Sequence, residues 1–150
     1  MNALKLINLG SNELKHNNIR THKLDSEILL SKILNKKREE IITNLKQEID
    51  LKKINEFNKL IARRSFHEPI AYIINEKEFW SKKFEVNTKT LIPRPETELI
   101  LYNLVRIFSK KSISILDIGT GSGCILISLL SDLINAKGIG IDLSLIHISE

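Results

Sequence analysis

Seven residues between two apolar stretches are the part of this chain best suited to chemistry: Asp117-Ile118-Gly119-Thr120-Gly121-Ser122-Gly123. They follow a β-branched run (Ile113, Ile115, Leu116, Ile118) that reads as a buried parallel strand, and they precede residues 124–130, which read as the first turns of a helix. Strand, glycine turn and helix make half of a βαβ unit. Such a turn lets backbone lie against a ligand where side chains would collide. A second acid, Asp142, ends a further apolar stretch, Gly138-Ile139-Gly140-Ile141, one helix length later. A carboxylate at that strand end can accept two hydrogen bonds from the hydroxyls of a ribose. The chemistry on offer is therefore the capture of a nucleoside-bearing cofactor. The bland alternative is a βαβ unit whose glycines serve only tight packing, and it needs the spacing, the order and the terminal acid to agree by coincidence.

The spacing narrows the cofactor. A dinucleotide loop of the form Gly-x-Gly-x-x-Gly would put its third glycine at position 124, which is Cys124, and would leave Gly123 unexplained. The pattern Asp-x-Gly-x-Gly-x-Gly instead resembles motif I of the class I S-adenosylmethionine (SAM) methyltransferases.

Composition sets the frame around this loop. With 42% hydrophobic and 27% charged residues, a 150-residue chain is ordinary for a soluble protein and long enough to bury a core. No run of 18 apolar residues occurs, and the start lacks the basic-then-apolar pattern of an export signal, so a cytoplasmic protein without membrane contact is expected. A single cysteine, Cys124, can form neither an internal disulfide nor a zinc cluster, and no metal site is expected. The net charge of +5 is unevenly placed: residues 1–75 hold 14 Lys/Arg against 9 Asp/Glu, while residues 76–150 hold 9 of each. That half faces an acidic partner or RNA, or is simply a solvated helical surface; without an Arg cluster or interleaved aromatics, direct nucleic-acid binding is not expected.

The elements that must position the loop come next. Residues 4–14 suit a short amphipathic helix, ended by Asn17-Asn18. Asp25 or Ser26 can cap a second helix whose buried stripe is Ile28, Leu29, Leu30, Ile33 and Leu34, with Lys36-Lys37-Arg38 closing it. Residues 39–45 and 50–64 suit two more helices, and Pro69 ends the helical pattern. Residues 78–86 read as a hairpin, with aromatic and β-branched positions on either side of a polar turn. Pro93 and Pro95 fix an extended turn before a helix over residues 99–108, and Pro93, Arg94, Pro95, Glu96 and Thr97 are candidates for one wall of the cofactor pocket. His67 has no second metal-binding residue at a useful spacing and receives no role.

Four segments together resemble one family. His67-Glu68-Pro69-Ile70-Ala71-Tyr72, Glu78-Phe79-Trp80, Leu91-Ile92-Pro93-Arg94-Pro95-Glu96-Thr97-Glu98 and Ile115-Leu116-Asp117-Ile118-Gly119-Thr120-Gly121-Ser122-Gly123 are similar to the HemK/PrmC family, and Asp25-Ser26-Glu27-Ile28-Leu29-Leu30 resembles its N-terminal domain. The likeness covers most of residues 25–144. It implies an α/β protein: a small helical substrate-binding bundle over residues 1–75, a β-hairpin linker over 76–90, and over 91–150 the start of a Rossmann-like class I methyltransferase domain. It implies SAM as cofactor, held by Asp117, Gly119, Thr120, Gly121, Ser122, Gly123 and Asp142. The implied reaction is N5-methylation of the glutamine amide in the Gly-Gly-Gln motif of peptide-chain release factors, by a monomer. The family orients that poorly nucleophilic amide with an Asn-Pro-Pro-Tyr motif. No such motif occurs in these 150 residues, so no catalytic residue is assigned and the chain alone is expected to be inactive. After Ser144 the family's Ser-x-x-Ala-Leu pattern gives way to a run containing His147, and the ending reads as a truncated gene with a few foreign residues. Two other functions fit less of the chain: an amino-methyltransferase acting on DNA or RNA, and a non-catalytic release-factor-binding module.

Overall fold

In the computed structural model, which describes residues 1–143, the first helix opens where the Asn2 side chain accepts the Lys5 N–H at 3.0 Å. The expectations on Ser144 and His147 lie outside the described residues. The chain divides into two units, Met1–Ile74 and the part from Asn75 onward.

The first unit is all helix: α1 (Ala3–His16), α2 (His22–Leu34), α3 (Arg38–Thr43), α4 (Leu51–Ser65) and α5 (Ile70–Ile74). Its core is built from Leu6, Ile7, Leu14, Leu29, Leu30, Ile41, Phe57, Ile61 and Ile73. Helices α1, α2 and α4 meet at Gly10, where an added Cβ would stand 2.7 Å from Phe57, 2.8 Å from Ile61 and 2.8 Å from Ser26.

Three local expectations are corrected here. Helix α2 starts at His22, before the expected caps, because Asp25, Ser26 and Glu27 are needed inside the bundle. Ser26 donates to the Ile7 carbonyl at 2.8 Å, Asp25 pairs with Arg64 at 2.7 Å, and Glu27 pairs with Arg38 at 2.6 Å. Nor do Lys36-Lys37-Arg38 close that helix: Asn35 ends it in a left-handed conformation (φ 51°), and Arg38 opens α3. Finally, Pro69 starts a helix as well as following one. Five residues of α5 are too few to display a helical period, and proline is well suited to a helix entrance.

The second unit begins with a hairpin, β1 (Glu76–Phe79) and β2 (Lys82–Glu85), antiparallel with Phe79 opposite Lys82. The turn is Trp80-Ser81, so an aromatic residue stands in the turn expected to be polar, and both residues have positive φ (51° and 56°), which is a type I′ turn. Then follow α6 (Thr97–Phe108), β3 (Ser114–Ile118), α7 (Cys124–Asp132) and β4 (Lys137–Ile141). Strands β3 and β4 are parallel, with Ile115 opposite Gly138 and Asp117 opposite Gly140, so the unit is mixed α/β.

Among the described residues, the sheet is covered on one face only. Ile113 and Ile115 pack in a core with Leu101 of α6 and Cys124, Leu129 and Leu133 of α7. On the opposite face Leu116, Ile118, Ile139 and Ile141 are exposed, Ile118 to 75%. The expectation of a fully buried first strand is therefore corrected: two parallel strands with both helices on one side can bury one face only.

Candidate functional site

The glycine loop runs from the carboxyl end of β3 to the start of α7, and its three glycines all take left-handed backbone: Gly119 (φ 78°), Gly121 (54°) and Gly123 (72°). Only glycine adopts these values without strain. The loop is tied to the neighbouring strand, since the N–H groups of Gly119 and Thr120 both donate to the Ile141 carbonyl, at 2.7 and 3.1 Å. Gly123 N–H then donates to the Thr120 carbonyl at 2.8 Å.

The glycines fall into two classes by what a Cβ would meet. Among the described residues, it would meet nothing within 4 Å at Gly119, and at Gly121 only the Thr90 methyl at 3.9 Å. In β4 the case is opposite: a Cβ on Gly140 would lie 2.8 Å from the Thr120 hydroxyl, and one on Gly138 would collide with Leu126. Strand glycines here serve packing. The first two loop glycines leave a space open, which is the property a cofactor cradle needs.

The acids brace this loop from both sides. Asp117 accepts the Thr120 hydroxyl at 2.8 Å, which turns that side chain inward over Gly140, so Thr120 offers a ligand its backbone. Asp142 lies across the loop and accepts the Gly121 N–H on Oδ2 at 2.8 Å. Asp117, Gly119, Thr120, Gly121, Gly123 and Asp142 thus belong to one hydrogen-bonded constellation at the ends of two adjacent parallel strands, the position where open α/β sheets bind ligands. Ser122 Oγ is buried beside the Cys124 thiol, without a normal hydrogen bond to any described residue. A ligand or water offering a polar atom there would relieve the cost of that orphaned hydroxyl.

Cys124 starts α7 and is buried, and burial is the main influence pushing its thiol above the usual range. It stays a neutral thiol at physiological pH, which removes it as a nucleophile. Among the described residues no group of three His, Cys, Asp or Glu could hold a metal, and no helix is long and apolar enough to cross a membrane.

The stretch before α6 is placed less directly. Pro93 is buried, while Arg94, Pro95 and Glu96 are exposed and form a turn in which the N–H groups of Thr97 and Glu98 donate to the carbonyls of Arg94 and Pro95. None of residues 93–97 comes within 4 Å of where a Cβ on Gly119 or Gly121 would stand. The residue that does reach the loop is Thr90, itself buried, at the head of the proline-stiffened stretch and outside the five residues 93–97 expected to wall the pocket. Its only signal in the sequence is a threonine just ahead of a proline-stiffened segment.

Comparison with known proteins adds an independent line. Residues 5–74 match the family model of the PrmC N-terminal domain. A protein of Buchnera aphidicola subsp. Schizaphis graminum named release factor glutamine methyltransferase is 49% identical over 120 residues, covering 79% of this chain and 43% of that protein. A protein of the same name from Buchnera aphidicola subsp. Acyrthosiphon pisum is 42% identical over 96% of this chain and 51% of its own length. A Rickettsia conorii protein named bifunctional methyltransferase is 36% identical over 94% of this chain and 32% of its own length. The chain thus spans between about a quarter and a half of the curated relatives it matches.

Proposed function

The chain belongs to the HemK/PrmC family, and from that premise we propose that it serves SAM-dependent N5-methylation of the glutamine amide in the Gly-Gly-Gln motif of peptide-chain release factors. The observation that carries the cofactor half of this reading is the open space above Gly119 and Gly121, at the mouth of a parallel strand pair and bordered by Asp142. In this reading the second unit is the start of a Rossmann-like methyltransferase domain, and the helical unit helps to hold the release factor.

Each group then has a task. Gly119 and Gly121 admit the methionyl and ribose portions of SAM against bare backbone. Asp142 accepts from the ribose hydroxyls while holding Gly121 in register, and Asp117 keeps Thr120 folded down so that the loop does not close on itself. Thr90, whose methyl faces Gly121, borders the same space, and residues 93–97 continue from it in the turn ahead of α6. SAM, when bound, supplies an electrophilic methyl group.

The amide-orienting step belongs to an Asn-Pro-Pro-Tyr motif that the 150 residues do not contain, so the chain alone should transfer no methyl group. The test joins residues 1–142 to the remaining length of the Acyrthosiphon pisum strain relative and offers labelled SAM with release factor, DNA and RNA. Label in the release-factor glutamine is the expected result. Label only in nucleic acid would overturn the proposal in favour of an amino-methyltransferase acting on DNA or RNA. Tight binding of the release factor without transfer would favour a non-catalytic binding module.

A further inference from the structure

We propose that one end of the helical unit, formed by the α1–α2 turn and the α4–α5 turn, is a binding site for single-stranded RNA, independent of the methyl-transfer site. The fold brings two distant segments to this end. Helix α1 arrives there with its C-terminus, α2 leaves from it, and α4 returns to it: Gly10 stands against Ser26, Phe57 and Ile61, and further along the same direction Arg64 pairs with Asp25 at 2.7 Å. The Ser11 hydroxyl and His22 Nδ1, 2.8 Å apart, tie the α1–α2 corner, and Thr21 donates to Asp25 at 2.8 Å.

What this end presents is an excess of positive charge and an aromatic ring. Lys15, His16, Arg20 and Lys23 are exposed, and none of them forms an ion pair among the described residues. Of the described acids at the same end, two are held by arginines, and Glu13 alone stays exposed with its charge against four basic side chains. Asp25 is buried against Arg64; Glu13 accepts from the Asn17 side-chain amide; Glu68 is gripped by Arg63, whose hydrogen bond holds its carboxyl below the usual range. Phe66, at the α4–α5 turn, is 86% exposed, beside exposed His67. A large aromatic side chain left in water at the same end as exposed, unpaired cations fits a ligand that is both anionic and planar. Single-stranded RNA offers phosphates to the cations and a base face to the ring, whereas an acidic peptide would use the cations and leave Phe66 idle.

The test is fluorescence anisotropy of the 150-residue chain with a labelled RNA of about 12 nucleotides at about 50 mM salt. An acidic Glu-rich peptide is the second probe. Neutralising Lys15, Arg20 and Lys23 together to Gln should weaken RNA binding at least tenfold and reduce the salt slope by about 2, as expected at about 0.7 per lost phosphate contact. Phe66→Ala should weaken RNA binding about fivefold or more with an unchanged salt slope, since stacking carries no counterion release. Lys32→Gln with Lys36→Gln and Lys37→Gln, at the far end of α2, should leave binding nearly unchanged. All substituted residues are exposed, and circular dichroism verifies that helix content is retained. The proposal is overturned if the chain does not bind the RNA, if Phe66→Ala binds it as tightly as the parent, if the far-end variant loses as much as the near-end one, or if the acidic peptide binds more tightly than RNA.

Discussion

Asp142 does two things that one substitution can separate. Its Oδ2 accepts the Gly121 N–H, and its charge is what the proposed ribose contact depends on. Asp142→Asn keeps an oxygen for Gly121 but removes the charge, and charge-assisted hydrogen bonds are worth roughly 1.5–3 kcal/mol each before desolvation. In the chimaera with the Buchnera relative, SAM affinity by calorimetric titration should fall about tenfold or more while the melting temperature stays near that of the parent. Gly121→Val should abolish SAM binding, because it places a β-branched residue at φ 54° and fills the open space. Cys124→Ala should leave SAM affinity unchanged. The raised thiol pKa also has a direct readout: alkylation of Cys124 by iodoacetamide in the folded chain should be slower at mildly alkaline pH than in urea, and should go on rising at pH values where the unfolded thiol has levelled off. The loop's glycine turns were legible in the sequence, because three alternating glycines between a strand and a helix favour left-handed backbone that most side chains disfavour. The unpaired Ser122 hydroxyl and the inward turn of Thr120 were not, since each depends on which neighbour the folded chain supplies.

Trp80 and Ser81 occupy a turn that normally belongs to Asn-Gly, and two non-glycine residues with positive φ cost about 1–2 kcal/mol each. The element is held in place by Trp80, whose N–H donates to Glu98 of α6 and whose indole donates to Asp132 of α7, both at 2.8 Å. The two positions should therefore respond in opposite ways. Ser81→Gly, at an exposed site, should raise the stability of the second unit by about 1 kcal/mol, and Trp80→Gly should lower it despite the same backbone relief, as thermal melts would reveal. In the helical unit the Arg64–Asp25 pair is the counterpart, with side chains 15% and 4% exposed. Arg64→Met strands a buried carboxylate and should cost about 3–5 kcal/mol in urea denaturation, while the double variant with Asp25→Leu should recover part of that loss. Helix existence was readable from apolar spacing over residues 4–14 and 50–64. The α2 boundaries were not, because Asp25, Ser26 and Glu27 look like capping residues until their partners, Arg64, Ile7 and Arg38, are seen across the bundle.

For the molecule as a whole, the two units differ in how finished their surfaces are. The helical unit encloses its core, whereas the sheet shows Leu116, Ile118, Ile139 and Ile141 to water on one face. A contiguous apolar sheet face promotes self-association. Residues 1–74 alone should elute as a helical monomer in light-scattering chromatography, the 150-residue chain should elute as larger species, and Ile118→Lys with Ile139→Glu should shift it toward monomer. The charge asymmetry was visible in composition alone, but the placing of Phe66 at the same end of the helical unit as Lys15, Arg20 and Lys23 was not, since it follows from the Arg64–Asp25 pairing across the bundle. The order of the units also sets a timetable. Helical bundles fold within microseconds to milliseconds, while a ribosome adds about 5–20 residues per second, so roughly 4–15 s pass in making the first 75 residues. The Arg64–Asp25 clasp, whose two halves lie within those residues, can therefore close before β3 and β4 exist, and the slower parallel pairing then proceeds beside a neighbour that is already folded.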